Sequence, residues 1–358
     1  MENNKALIAM SGGVDSSVAA FLTKEAGFDC TGATMKLFSN EDIGIEGESR
    51  CCSLDDVEDA RSVANRLGIP FFVFNFSDNF RREVIERFIT AYKNGETPNP
   101  CIDCNRFLKF EKFFLRAREL DIGHIVTGHY AVICYDGAAR RWGLKKGADE
   151  SKDQSYVLYS LTQEQLAHTL LPLGGMTKAE VRAVAEANGF INAKKRESQD
   201  ICFVPDGDYA SFIERYTGEP NRAGQFVDKE GRALGEHRGF VRYTIGQRRG
   251  LGLSLREPLY VCAKCAARNT VVLGKESELF SKSLTATGIN LIACDRLTAP
   301  LRIRAKVRYK QREQWATAEQ TGGDRLRIEF DEPQRAVTPG QAVVMYDGDA
   351  VVGGGTIE

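Results

Sequence analysis

The stretch "KALIAMSGGVDSSVAAFLTKEAG", residues 5–27, constrains the fold more than any other part of the chain. A short apolar run enters two adjacent glycines, Gly12 and Gly13, and then a helical pattern opened by Asp15, Ser16 and Ser17. A strand, a tight turn and a helix start in that order aim unpaired backbone N–H groups and a positive helix terminus at one point. That point favours an anion, above all a phosphate. The common Gly-x-x-x-x-Gly-Lys-[Ser/Thr] loop carries a lysine that reaches the β and γ phosphates, and "SGGVDSS" has none. The loop therefore suits pyrophosphate as a leaving group better than γ-phosphoryl transfer.

Up to about residue 203, further apolar runs ("TGATMKLF", "IPFFVFNF", "HIVTGHYAVI") alternate with helical patterns such as Val57, Ala60, Ala64 and Leu67 in "DDVEDARSVANRLG". The alternation predicts an α/β fold, a doubly wound parallel sheet with helices on both faces. We expect this unit over residues 1–205, a small, mostly β central domain over 206–280, and a C-terminal β-barrel over 281–358, where "GGD", "PG" and "DGD" punctuate runs of strand length. With 48 basic and 49 acidic residues, net charge neither suggests nor excludes nucleic acid. No run approaches a membrane span, and "MENNKALIAM" lacks the pattern of a signal peptide, so the expected place is the cytoplasm. Ten cysteines scattered through 358 residues suit a reducing compartment, where each cluster is a candidate for metal or sulfur chemistry.

The loop resembles the pyrophosphatase-type loop of adenylating enzymes. "TPNPCIDCNRFLKF" places Cys101 and Cys104 just before a predicted helix, and "ESQDICFVP" places Cys202 farther on. With "MKLFSN", "VTGHYA", "KDQSYVLYSL", "LGGMTKAEVRA" and "RYTIGQRRGLGL", these segments make the chain resemble the tRNA-specific 2-thiouridylase family along nearly its whole length. The resemblance implies that ATP, with Mg²⁺, adenylates the C2 oxygen of a wobble uridine, that pyrophosphate leaves, and that sulfur displaces AMP. It implies nucleotide contacts from Ala9, Met10, Ser11, Gly12, Gly13, Val14, Asp15, Ser16, Met35 and Gly128, with Asp15 read as an exposed loop acid suited to Mg²⁺ or the triphosphate. Cys202 is implied as the persulfide carrier and Cys104 as the nucleophile, a disulfide between them following once the sulfur has left. A thiolate attacks a sulfur–sulfur bond readily, and a helix start, Arg106 or Lys109 is expected to lower its pKa.

Many family members carry an acid where this chain has Cys101, which leaves a proton-transfer role open. As an alternative, Cys101, Cys104 and Cys202 would hold three irons of a 4Fe–4S cluster that carries sulfide. Cys30, Cys134 and Cys294 read as small buried hydrophobes, and Cys262 and Cys265 as unrelated residues on a strand rather than half of a zinc site. The adjacent Cys51 and Cys52 receive no role.

In "LRIRAKVRYKQR", residues 301–312, every second residue is basic, so a strand would carry Arg302, Arg304, Lys306, Arg308, Lys310 and Arg312 on one face, a stripe fit to track an RNA backbone. The resemblance implies tRNA contacts at Asn99, Pro100, Cys101, His129, Lys152, Asp153, Gln154, Arg308, Tyr309 and Gln341. The implied partners are tRNAs with a wobble uridine, those for lysine, glutamate and glutamine, and a sulfur donor such as a cysteine desulfurase or a relay protein; no membrane is implied. Two other readings compete: adenylation followed by nitrogen transfer, and an RNA-binding protein with a degenerate nucleotide fold. The first leaves the cysteines without work, the second the intact "SGGVDSS".

Overall fold

A computed structural model describes residues 4–39, 43, 54–195, 201–254 and 257–358. Cys51, Cys52 and the start of "ESQDICFVP" lie outside the described residues. The first unit is built on strands β1 (Lys5–Ala9), β2 (Asp29–Lys36), β3 (Phe71–Asn75) and β4 (His124–Val126). Alternate residues of β1 go to opposite faces, as the strand period of two requires. Leu7 and Ala9 join one buried cluster with Phe80, Phe88 and Phe113, whereas Ala6 and Ile8 join another with Val18, Ala60 and Val181. Each cluster is covered by helices, so the sheet is wound on both faces as expected.

After β4 the chain departs from the expected single run. "HIVTGHYAVI" breaks at Thr127–Tyr130, and the hairpin β5 (Ala131–Asp136) and β6 (Arg141–Lys146) leaves the parallel sheet altogether. The short β7 (Thr169–Leu170) closes that sheet, giving the order β3-β2-β1-β4-β7 with every pair parallel. The order reverses direction between β1 and β4, the crevice where open α/β sheets take ligands.

The central unit is a four-stranded sheet of β8 (Gly224–Val227), β9 (Ala233–His237), β10 (Tyr260–Cys265) and β11 (Thr270–Gly274) around Phe226, Val261, Val271 and Leu273. The C-terminal unit comprises β12 (Phe280–Leu291), β13 (Leu301–Lys306), β14 (Gln314–Gly322), β15 (Arg325–Arg335), β16 (Ala342–Asp347) and β17 (Ala350–Ile357). They pair in the order β12-β15-β14-β13-β16-β17, and β17 pairs back to β12, which closes the barrel. The β5–β6 hairpin extends this barrel sheet through Ala350 opposite Lys145, so the first and last units share one sheet.

The basic run is corrected here. β13 and β14 form an antiparallel hairpin whose ladder ends at Ala305 opposite Gln314. Residues 307–313 must connect the two strands, so Arg308, Lys310 and Arg312 lie beyond the strand and no six-residue stripe exists. Arg302 is paired with Asp331, and both Arg302 and Arg304 stack over Trp315. Lys306 is buried between the rings of Tyr156 and Tyr346. Among the cysteines, Cys30 is buried, whereas Cys134 and Cys294 are half-buried rather than core residues. Cys262 and Cys265 lie on β10 but turn to different partners, the first to the Tyr260 carbonyl and the second to Arg268 Nε.

Candidate active site

The phosphate loop begins where β1 ends. Gly12 takes φ +72°, and a Cβ there would stand 2.3 Å from the Asp56 carbonyl oxygen, so this position excludes any side chain. Gly13 is extended and precedes the helix Val14–Glu25 with no side-chain cap. A helix start normally has its first N–H groups satisfied by a Ser, Thr, Asp or Asn cap; here no side chain caps them. The loop hydroxyls are turned inward: Ser16 and Ser17 both donate to the Gly13 carbonyl, at 3.0 and 3.1 Å. Asn192, given no role from the sequence, donates to the Gly12 carbonyl at 3.0 Å and to Ser17 Oγ at 2.9 Å, fixing the turn from a distant segment. Met10 is buried beneath the loop with Ala9, and its sulfur packs under Gly32 of β2, the strand that carries the half-buried Met35.

Asp15 departs from its expected state. Lys178 Nζ donates to both of its carboxylate oxygens, at 2.7 and 2.8 Å, and Tyr130 OH donates to one of them at 2.7 Å. Lys178 is buried and opens the helix Lys178–Ala187, whose start is fixed by a capping box of Thr177 and Glu180. A lysine distant in the chain is thus brought to the loop, where it pairs with Asp15. With its oxygens so engaged, Asp15 does not fit a magnesium ligand in this arrangement; an ion arriving with ATP would be held by phosphates and water. Asp15→Ala removes the carboxylate to which the buried Lys178 donates twice, and we expect it to lower stability by about 2 kcal/mol in a urea titration, contrary to the small effect of an exposed acid. An unchanged midpoint would show that Lys178 needs no carboxylate here.

Two of the thiols, Cys104 and Cys202, pack on the apolar cluster that takes Leu7 and Ala9 from β1. Rather than preceding a helix, Cys101 and Cys104 lie inside one, because Pro100 occupies its first position and Asn99 caps it, Oδ1 accepting from Cys101 N at 3.1 Å. Cys101 is exposed and Cys104 half-buried. Burial pushes the Cys104 thiol up to about 11, with Lys109 pulling it back and Cys101 and Asp103 adding to the rise. The expected depression is thus reversed: burial outweighs the basic neighbour. Cys202 is half-buried on the same apolar cluster that Cys104 packs against, anchored by its neighbour Phe203, whose ring meets Phe80, Phe88 and Phe212. Cys101 and Cys104 are free thiols. Among the described residues no three His, Cys, Asp or Glu side chains converge closely enough to hold a single metal ion. His129 is buried at 5.8 Å from the Phe110 ring, its Nδ1 2.7 Å from Thr127 Oγ1; burial and Lys109 hold its pKa well below the usual imidazole range, so the ring is neutral.

The residues expected at tRNA assemble around this helix, but most of their polar atoms face inward. Gln341 Nε2 donates to the Thr97 carbonyl at 2.6 Å, just before Asn99 and the buried Pro100. Tyr309 OH donates to the Asp153 carbonyl at 2.9 Å, and Arg308 donates to the Ala336 carbonyl and Thr338 Oγ1, both at 2.8 Å. The Asp153 carboxylate accepts from Gly147 N and from Ser155, while Gln154 Oε1 accepts from Tyr130 N at 3.0 Å; Lys152 is half-buried beside them. These side chains tie the barrel, the 152–154 turn and the cysteine helix into one rim. Through Gln154 and Tyr130 the rim reaches Asp15. Asn99 and Asp103, with Arg82, Arg87 and Tyr159, also line a cavity of about 480 Å³ that includes neither Cys101 nor Cys104. Burial pushes the Asp103 carboxyl up to about 6 against the pull of Arg87 and Arg106.

Three family models match in succession: the tRNA methyl transferase HUP domain over residues 4–206, the tRNA methyl transferase PRC-barrel domain over 210–275, and the aminomethyltransferase β-barrel domain over 281–357. The chain is 51% identical to the tRNA-specific 2-thiouridylase MnmA of Acetivibrio thermocellus, covering all of both chains. It is 53% identical to that of Moorella thermoacetica, covering 98% of this chain and 99% of the other. With the one of Clostridioides difficile it shares 50% identity over 99% of this chain and 98% of that one. On this similarity from end to end, the chain belongs to the tRNA-specific 2-thiouridylase family.

Proposed function

We propose that the protein is an ATP-dependent sulfurtransferase that converts the wobble uridine of tRNA to 2-thiouridine. The observation that supports the reading is the hydrogen-bonded link from Asp15 through Tyr130 to Gln154, which joins the phosphate loop to the turn expected at tRNA, in a chain whose Cys104 and Cys202 pack on one apolar cluster. The uncapped start of the helix Val14–Glu25 and Gly12 receive the triphosphate, and the closeness of Gly128 to Asp15 and Ser16 sets the depth of the crevice. The uridine enters at Asn99, Pro100 and His129, and its C2 oxygen attacks the α-phosphorus, with pyrophosphate leaving. His129, neutral and hydrogen-bonded to Thr127, offers a polar edge without adding charge.

Sulfur arrives on Cys202 as a persulfide from a donor such as a cysteine desulfurase or a relay protein. The Cys104 thiolate attacks the inner sulfur, the bond to the outer sulfur breaks, and the outer sulfur departs with its electron pair as sulfide. The sulfide adds to C2 and AMP leaves with the former C2 oxygen. The Cys104–Cys202 disulfide that remains returns to two thiols at the expense of an external dithiol. The barrel and the 152–154 turn, with Lys152, hold the tRNA, the acceptors being those for lysine, glutamate and glutamine. Among the described residues no helix is long and apolar enough to cross a membrane; the ATP and tRNA that the reaction consumes are the reason for the cytoplasm as its place.

The test supplies the purified protein with ATP, Mg²⁺, a wobble-uridine tRNA and cysteine plus a desulfurase. Pyrophosphate release that requires tRNA, and 2-thiouridine in the digested RNA, are the expected results. RNA binding without pyrophosphate release would overturn the proposal in favour of a binding protein.

A further inference from the structure

The cysteine helix is not uniform. It runs as an α-helix over Pro100–Asp103, widens to a π-helix over Cys104–Lys112, and returns to α over Phe113–Glu119. π-helices are rare and usually a single turn, often at functional sites, whereas this one spans nine residues. It packs against a second π segment, Arg81–Ile85.

The widening has a geometric consequence for one side chain. In an α-helix, residue i+5 lies about 140° around the axis from residue i, so a lysine five places after Cys104 would face away from it. In a π-helix of about 4.4 residues per turn, whose hydrogen bonds run from i to i+5, the same residue comes to within about 50°. Lys109 is thereby brought under Cys104. It is half-buried and, among the described residues, has no carboxylate within ion-pair distance and no hydrogen-bond acceptor. Its neighbours differ: Lys112 pairs with Glu111, and Arg106 is exposed and stacks on Phe107. The Lys109 charge opposes the rise of the Cys101 and Cys104 thiols and helps to keep the buried ring of His129 neutral.

We propose that Lys109 is the cation that stabilises anionic sulfur in the transfer step, first the Cys104 thiolate and then the departing sulfide, and that the π-helix serves to place it there. The inference rests on the sulfur-transfer reading above. Lys109 neither gives nor takes a proton: the electron pair of Cys104 forms the new bond to Cys202, the outer sulfur leaves with its own pair, and the negative charge stays within reach of the same ammonium. A buried thiol without a cation is a poor nucleophile, since burial alone drives its pKa upward.

The experiment follows alkylation of Cys104 by iodoacetamide between pH 7 and 9.5, resolved by peptide mass spectrometry, in full-length wild type, Lys109→Met, Lys109→Gln and Lys109→Arg. Loss of the charge is expected to slow Cys104 alkylation about tenfold at each pH in the Met and Gln variants, with Arg within about threefold of wild type. Cys265, remote in sequence and on β10, should react equally in all four. Single-turnover transfer from a persulfide preloaded on Cys202 should fall about tenfold in Lys109→Met. Equal Cys104 alkylation in wild type, Lys109→Met and Lys109→Gln would overturn the proposal. Alkylation needs neither ATP nor RNA, so a wild-type protein that forms no thiouridine would instead overturn the sulfur-transfer reading.

Discussion

Cys202→Ser and Cys104→Ser are each expected to lower 2-thiouridine formation by more than about a thousandfold while leaving tRNA-dependent pyrophosphate release within about threefold of wild type. The separation follows from the geometry. The turn of the phosphate loop is fixed by Gly12, Asn192 and the hydroxyls of Ser16 and Ser17, and neither thiol takes part in those bonds. A serine hydroxyl cannot carry a sulfane sulfur at position 202 and at position 104 is too weak a nucleophile to open the persulfide. Both side chains border the apolar cluster without lying at its centre, so the exchange should preserve folding. Cys101→Ala is the contrasting case. It is exposed, and the hydrogen bond that caps the helix uses its backbone N–H, which alanine keeps. A loss of less than about tenfold is expected. Near-normal thiolation by either serine variant would sink the two-thiol mechanism. Iron bound by the anaerobically reconstituted wild type and lost from Cys101→Ala would replace it with the cluster.

The first unit was legible in the sequence because its signals are local. β1 runs into Gly12 and Gly13 and the helix after it follows at once, so strand and loop could be read within 25 residues of the start, and the sheet type from the alternation of such units up to about residue 203. What escaped were contacts between segments distant in the chain. Lys178 meets Asp15 across 163 residues and Tyr130 meets it across 115, and no periodicity announces either. The π-helix escaped for another reason. Leu108 and Phe113 are both buried five places apart, a spacing that no single α-helical face carries but a π-helix does, and an α-helical reading of the sequence does not test for it. The basic run misled because alternation was read without asking where the strand would find partners. β13 ends where β14 ceases to pair with it, and half of the basic residues fall on the connection.

The same point about distant contacts governs Gly128→Ala, for which we expect ATP affinity to fall about a hundredfold, equivalent to about 2.7 kcal/mol, with tRNA-dependent pyrophosphate release falling in parallel at subsaturating ATP. Gly128 follows β4 at the place where the strand order reverses, and its neighbours are backbone rather than yielding side-chain tips. An added Cβ would stand 2.8 Å from the Asp15 carbonyl carbon, 2.9 Å from Ser16 N and 3.1 Å from Asp15 Cβ. Contacts that short are not sustained, so the phosphate loop or the end of β4 must move by several tenths of an ångström. The loop cannot yield freely, because Ser16 and Ser17 hold the Gly13 carbonyl, Asn192 holds that of Gly12, and Lys178 with Tyr130 holds Asp15. The displacement therefore falls on the backbone N–H groups that receive the phosphates, whose hydrogen bonds weaken steeply with misalignment. Overpacking of this kind costs about 1–3 kcal/mol of stability as well, so thermal denaturation should be recorded beside nucleotide titration. Gly175→Ala is the control, since a Cβ there meets nothing within 4 Å. Wild-type ATP affinity in a folded Gly128→Ala protein would show that nucleotide binds away from the crevice between β1 and β4, and the assignment of Gly12, Gly13 and Asp15 to the triphosphate would fall with it.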